Sequence, residues 1–122
     1  MTDPVLNGAR VFVAEDELLV AMLIEDILSD SGCQVTGPFA NVTDAMAAAD
    51  AAEVDVAVLD MNLRGEAIYP VAERLAARGI PFVLLSGYGR DAVPADRPGW
   101  VVCPKPFRAE ELVRMIAERL AG

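Results

Sequence analysis

The chain has 122 residues, more than half of them apolar, which is room for one domain with one sizeable core. Nineteen acidic residues stand against ten basic ones, a net charge of −9, and there is no histidine. That balance argues against a nucleic-acid partner, whose phosphates need a basic face, and the missing imidazole removes histidine triads and histidine–zinc sites.

Strand and helix signals alternate along the whole chain. Val11-Phe12-Val13-Ala14 is a short apolar run that stops at acidic residues, as a buried strand would. Val20, Leu23, Ile24, Ile27 and Leu28 follow the spacing of one helical face, and Ser31-Gly32 ends that helix. Gln34 to Phe39 reads as a second strand and Asp44 to Ala52 as an alanine-rich second helix. Val54 to Leu59 is a third strand, ending at Asp60, and Ile68, Val71, Ala72, Leu75 and Ala76 mark a helix closed by Gly79. Pro81 to Leu85 gives the fourth strand. Trp100 to Cys103 gives the fifth, and Leu112, Val113, Ile116 and Leu120 line the last helix, where Glu110 and Arg114 are spaced to pair. Between those strands, Pro94 and Pro98 leave room for only a short or irregular fourth helix.

Five β-then-α units of this length predict an α/β fold, a parallel sheet covered on both faces. Right-handed crossovers make the flavodoxin-like order 2-1-3-4-5 the natural one. One domain is expected over residues 1–122, with no output domain. Cys33 and Cys103 have no CxxC spacing and would lie at opposite edges of that sheet, so they are expected to stay reduced. The start lacks the apolar core of a secretory leader, and the longest apolar run, Leu18 to Ile24, is too short to span a bilayer. A cytoplasmic protein with no membrane association is expected.

In such sheets ligands bind beyond the carboxyl ends of the strands, at the switch point between strands 1 and 3. Strand 1 ends at Glu15-Asp16, strand 3 at Asp60, strand 4 at Ser86 and strand 5 at Lys105. Alone, each has an ordinary structural explanation: an acid after a strand as helix cap, a serine before glycine as turn residue, a lysine between prolines as solvated charge. Together they converge on one edge. Carboxylates about 4 Å apart repel by about 4 kcal/mol per pair at an effective dielectric near 20, so the cluster needs cations. Mg²⁺ and Lys105 would balance the three acids, and Mg²⁺ takes oxygen ligands from one or two carboxylates plus a phosphate. Asp60 would then be both ligand and nucleophile for phosphoryl transfer, with Lys105 and the Ser86 hydroxyl on the phosphoryl oxygens.

Glu15-Asp16, Val58-Leu59-Asp60-Met61-Asn62, Ser86-Gly87 and Lys105-Pro106-Phe107 together resemble the signature of response-regulator receiver domains, over essentially the whole chain. The resemblance implies that Asp60 is phosphorylated by a sensor histidine kinase or a histidine phosphotransfer protein. It implies Mg²⁺ held by Asp16, Asp60 and the Asn62 carbonyl, with Glu15 acting through a water on the metal. Lys105 would contact the phosphoryl group, Ser86 would move on phosphorylation, and the Lys105–Pro106 bond would be cis. Output would pass to a downstream protein target, around the short fourth helix and the face of the fifth strand and last helix.

Two positions depart from the family pattern. Val102 stands where receivers carry a switch Tyr or Phe. Conversely, Leu84-Leu85-Ser86-Gly87-Tyr88 partly resembles the Phe-Ala-Thr-Gly-Tyr motif of a mostly single-domain subfamily, which makes Tyr88 the candidate replacement switch. A pseudo-receiver that binds partners without phosphorylation is the alternative, disfavoured because every charged site position is filled. A phosphatase of the haloacid-dehalogenase type would need its Asp-x-Asp motif after the first strand, and here Asp60 follows the third.

Overall fold

The computed structural model describes residues 6–87, 93, 96, 97 and 99–122. Its main sheet contains β1 (Arg10–Ala14), β2 (Gln34–Phe39), β3 (Val56–Asp60), β6 (Phe82–Ser86) and β7 (Val101–Pro104), all parallel, in the order β2-β1-β3-β6-β7. Counting only these five strands, that is the expected order 2-1-3-4-5. A two-stranded antiparallel hairpin, β4 (Asn62–Leu63) with β5 (Glu66–Ala67), is inserted directly after β3.

Pleating sends alternate side chains of each central strand to opposite faces, and both faces are apolar. Phe12, Leu59 and Leu84 pack under α2 (Val42–Ala51) and α3 (Tyr69–Ala77). Val13, Val58, Val83 and Leu85 pack under α1 (Leu18–Asp30) and α4 (Ala109–Ala121). Every residue of β3 and β6 is buried, as strands covered on both sides must be. The result is a three-layer flavodoxin-like sandwich.

Local chemistry sets the helix ends. Asn41 caps α2, its Oδ1 accepting from the Asp44 amide at 2.8 Å. Both α1 and α3 close with paired terminal bonds across a left-handed glycine. Cys33 N donates to Leu28 O and Gly32 N to Ser29 O; Ile80 N donates to Leu75 O and Gly79 N to Ala76 O.

Two details differ from the sequence reading. The buried stripe of α1 is Ala21, Ile24, Ile27 and Leu28, whereas Leu23 is 49% exposed. Leu23 is turned toward the solvent side of the helix, where it joins Leu18, Leu19 and Met22. On α4, Arg114 pairs with Glu118 at 3.6 Å rather than with Glu110. Both partners satisfy i, i+4 spacing on an exposed face, so local spacing could not choose. The expected short fourth helix falls mostly outside the described residues. Cys33, just before the edge strand β2, and Cys103, on the opposite edge strand β7, are free thiols. Among the described residues no helix is long and apolar enough to cross a membrane.

Leu84 is fully buried on a central strand, so Leu84→Ala should destabilise the chain by about 3 kcal/mol. Leu19→Ala, at an 80% exposed position, should change stability by less than about 0.5 kcal/mol. Urea unfolding followed at Trp100 measures both.

Candidate functional site

Because β1 and β3 are parallel neighbours in register, their last residues end side by side. The chain then delivers Glu15, Asp16 and Asp60 to one edge. One carboxylate oxygen from each lies within 4.8 Å of the others. At that spacing, paired negative charges repel by about 3 kcal/mol each at an effective dielectric near 20. Glu15 and Asp60 are buried, 2% and 8% exposed, so water screens them poorly.

Lys105 answers part of that charge. It follows β7, and its backbone amide donates to Ser86 O at 2.9 Å, which ties it to the end of β6. Its Nζ lies 3.2 Å from Asp60 Oδ2, as a hydrogen bond, and 3.1 Å from Glu15 Oε1. The second contact is close in distance but not aligned, so Glu15 Oε1 remains a buried oxygen without a hydrogen-bond partner among the described residues. The Lys105–Pro106 bond is cis, as is Gly37–Pro38. Ser86 ends β6 with 2% exposure, in register with Pro104.

Burial pushes the Glu15 carboxyl up to about 8, with the hydrogen bond and charge of Asp60 adding to it and the Glu17 amide and Lys105 opposing. Burial is the largest influence on Asp16 and acts upward, but the Arg64 amide, its own amide and the hydrogen bonds of Glu15 and Asp60 together outweigh it, and its pKa ends below the ordinary value. Lys105 is raised: burial acts downward, and Glu15 and Asp60 overcome it.

Three hard oxygen donors, one of them buried with no aligned hydrogen-bond donor, fit a small divalent cation of the magnesium type. Among the described residues, Glu15, Asp16 and Asp60 are the ones whose carboxylate oxygens could hold it. The Asn62 amide points to Asp60 Oδ1 at 3.3 Å, and the Asn62 side chain accepts from the Gly65 amide at 2.8 Å.

Residues 11–117 match the response regulator receiver domain family. This chain belongs to that family. The solution structure of SdrG from Sphingomonas melonis Fr1 is similar, with 36% identity, a TM-score of 0.81, and coverage of 94% of this chain and 98% of SdrG. The transcriptional regulatory protein PdtaR of Mycobacterium tuberculosis is 28% identical over 111 residues, 88% of this chain and 54% of PdtaR. The chain thus spans about half the length of that curated relative. The receiver domain of the sensor histidine kinase PA1611 from Pseudomonas aeruginosa PAO1 carries a magnesium ion in its active-site cleft. It matches with a TM-score of 0.78 over 94% of this chain and 99% of that domain, at 24% identity, a likeness of fold. As a receiver domain, this chain is a module of two-component signalling.

Of the residues singled out from the sequence, Glu15, Asp16, Asp60, Asn62, Ser86 and Lys105 stand at this one edge. Tyr88 lies outside the described residues. Val102 is buried on β7. Nearby, Trp100 packs edge-on against Phe82, with ring centroids 5.3 Å apart, and lies 6.1 Å from Tyr69. Sequence reading missed two further features: the β4–β5 hairpin that meets Asp16, and the exposed apolar face of α1. Arg64-Gly65 signals the first, since a glycine two residues after Leu63 suits a tight turn. The second was visible as Leu18-Leu19, too many apolar residues for a single buried stripe.

A carboxyl whose folded pKa exceeds its unfolded value holds its proton more tightly in the folded chain, so stability falls as pH rises. For Glu15 that window runs from the ordinary 4.5 to about 8. Asp16, lowered, loses its contribution only as pH drops below its ordinary 3.8, outside the window. In metal-free buffer, the melting temperature should therefore decline from about pH 5 to about pH 8, and Glu15→Gln should flatten that decline. Parallel melting curves for the two chains would show that another group is responsible.

Proposed function

We propose that this receiver accepts a phosphoryl group on Asp60, in a Mg²⁺-dependent transfer from a histidine kinase or phosphotransfer protein, and passes the signal on by protein contacts. The observation that carries the reading is Lys105 Nζ within 3.2 Å of Asp60 Oδ2 at the carboxyl edge of the sheet, beside the carboxylate cluster. An Asp60 oxygen forms the new O–P bond as the P–N bond to the donor's phosphohistidine breaks, with its electron pair returning to the imidazole. Lys105 is placed to follow the growing charge on the phosphoryl oxygens, and the Ser86 hydroxyl to meet another of them. Mg²⁺, when bound, supplies the remaining neutralisation.

The relatives support this reading. SdrG has been solved in a BeF3-activated conformation, with 36% identity over 93% of this chain and 98% of SdrG. Acetyl phosphate with Mg²⁺ should label the chain, and Asp60→Asn should remove the label. Undiminished labelling of that variant would sink the assignment. Failure of a folded, unaltered chain to take either phosphate or beryllofluoride would favour a phosphorylation-independent binding module.

Two surfaces suit the protein contacts. Leu18, Leu19, Met22 and Leu23 form an exposed apolar face on the first turns of α1, immediately after Glu15-Asp16. A helix presenting its histidine to Asp60 would rest there. Between the edge strand β7 and α4, Val101, Val102, Pro104, Glu111, Arg114 and Met115 line a groove of about 520 Å³ that suits the downstream target. Leu19→Glu should lower phosphotransfer from the cognate kinase at least tenfold while leaving labelling by acetyl phosphate unchanged. Equal loss with both donors would remove α1 from the docking surface.

A further inference from the structure

We propose that the β4–β5 hairpin is the positioning element of the metal site, with Arg64 held in a left-handed conformation so that its amide fixes Asp16. The inference rests on the receiver reading above and concerns how this chain orients its own ligands.

The hairpin is minimal. Asn62 pairs with Ala67 and Leu63 with Glu66, two residues per strand, joined by Arg64 and Gly65. A ribbon of that size is not stable by itself in water. Its anchors are few: Leu63 is fully buried, Asn62 Oδ1 accepts from Gly65 N at 2.8 Å, and Ile68 N donates to Met61 O at 2.9 Å.

The turn is made in an unexpected residue. Arg64 has φ 51° and Gly65 φ 86°. A two-residue hairpin with both central φ values positive selects Asn, Asp or Gly, and an arginine there is held against its own preference. Among the described residues Arg64 is the sole non-glycine with positive φ. Something outside the turn must hold it. The contact that does so is long-range: Arg64 N donates to Asp16 Oδ2 at 2.9 Å, across 48 residues of sequence.

That bond serves Asp16 as much as it serves the turn. Asp16 sits beside two other carboxylates whose charge pushes it toward solvent. An amide on Oδ2 holds it in place, while the carboxylate keeps acceptor sites for a cation. The same hairpin reaches Asp60, through the Asn62 amide at 3.3 Å from Oδ1. One short ribbon therefore orients two of the three clustered carboxylates by backbone donors alone. Such outer contacts are worth tenfold or more in metal affinity when lost, in the general case about 10- to 100-fold.

The test separates backbone from charge. Arg64→Gly, Arg64→Asn and Arg64→Val all remove the guanidinium, but only valine resists positive φ strongly. Titration with Mg²⁺ alone, followed by amide NMR, should show the Gly and Asn chains binding alike and the Val chain about tenfold or more weaker. The amide of residue 64 should exchange slowly with solvent in the first two chains and rapidly in the third. Strand amides unchanged in all three would confirm that the Val chain is folded. Equal affinity across the three variants overturns the inference, whatever the absolute value. No Mg²⁺ binding by the unaltered chain overturns the proposed Mg²⁺-dependent phosphotransfer and this inference together.

Discussion

A single ammonium stands between two buried carboxylates: Lys105 Nζ lies 3.1 Å from Glu15 and 3.2 Å from Asp60. The rest of the molecule is organised around keeping that unfavourable arrangement in place. Parallel strands all end on the same edge, so acids that follow β1 and β3 are brought together whether or not their charges agree. One positive charge cannot balance the three carboxyls once all are ionised, and Glu15, pushed up to about 8, resists that ionisation. Like-charge repulsion and desolvation therefore persist at this edge, and the apolar contacts on both faces of the sheet must offset them. Strands β3 and β6, buried along their whole length, supply much of that stabilisation within the layer that carries the site.

The same constraint explains the mixed ways in which the site residues are held. Lys105 is fixed by its own amide on Ser86 O, so the cation moves with the end of β6 rather than as a free loop charge. Asp60 and Asp16 are met by amides of the segment just after β3. Glu15 has the weakest support, an amide from Glu17 at 3.2 Å on one oxygen and no aligned donor on the other. A cation at the cluster would invert this local balance, since its own charge would dominate the field there. The groups that carry the charge of this edge are thus held by amide contacts to β6 and to the segment after β3.

Much of this was legible in the chain. Apolar runs ending at Glu15, Asp60, Ser86 and Lys105 marked four strands and, through the sheet rule, the edge where chemistry would gather. Gly32 and Gly79 marked two helix ends, and both close as left-handed caps. Where the reading slipped, the reason was a choice that periodicity leaves open. Leu23 fits the helical spacing of α1 as well as Ala21 does, but the sheet accepts the stripe through Ala21, Ile24 and Leu28. Alanine's small side chain lets helix and sheet approach closely, a packing preference that a hydrophobicity pattern undervalues. Trp100 gave no signal of its partners, because Phe82 and Tyr69 come from distant elements.

The amino-acid sequence by itself determined the alternation of strands and helices, the class of sheet, and the residue types at each strand end. These follow from short-range preferences: apolar runs, helical spacing, glycines where φ must be positive. Tertiary structure alone decided which oxygen meets which donor. The ion pairs of Lys105 with Glu15 and Asp60 and the Arg64 amide on Asp16 all join residues far apart in the chain. Arg64 shows the difference most directly. Its local preference is against the left-handed turn, and only a carboxylate delivered by a different strand gives that conformation a reason to persist.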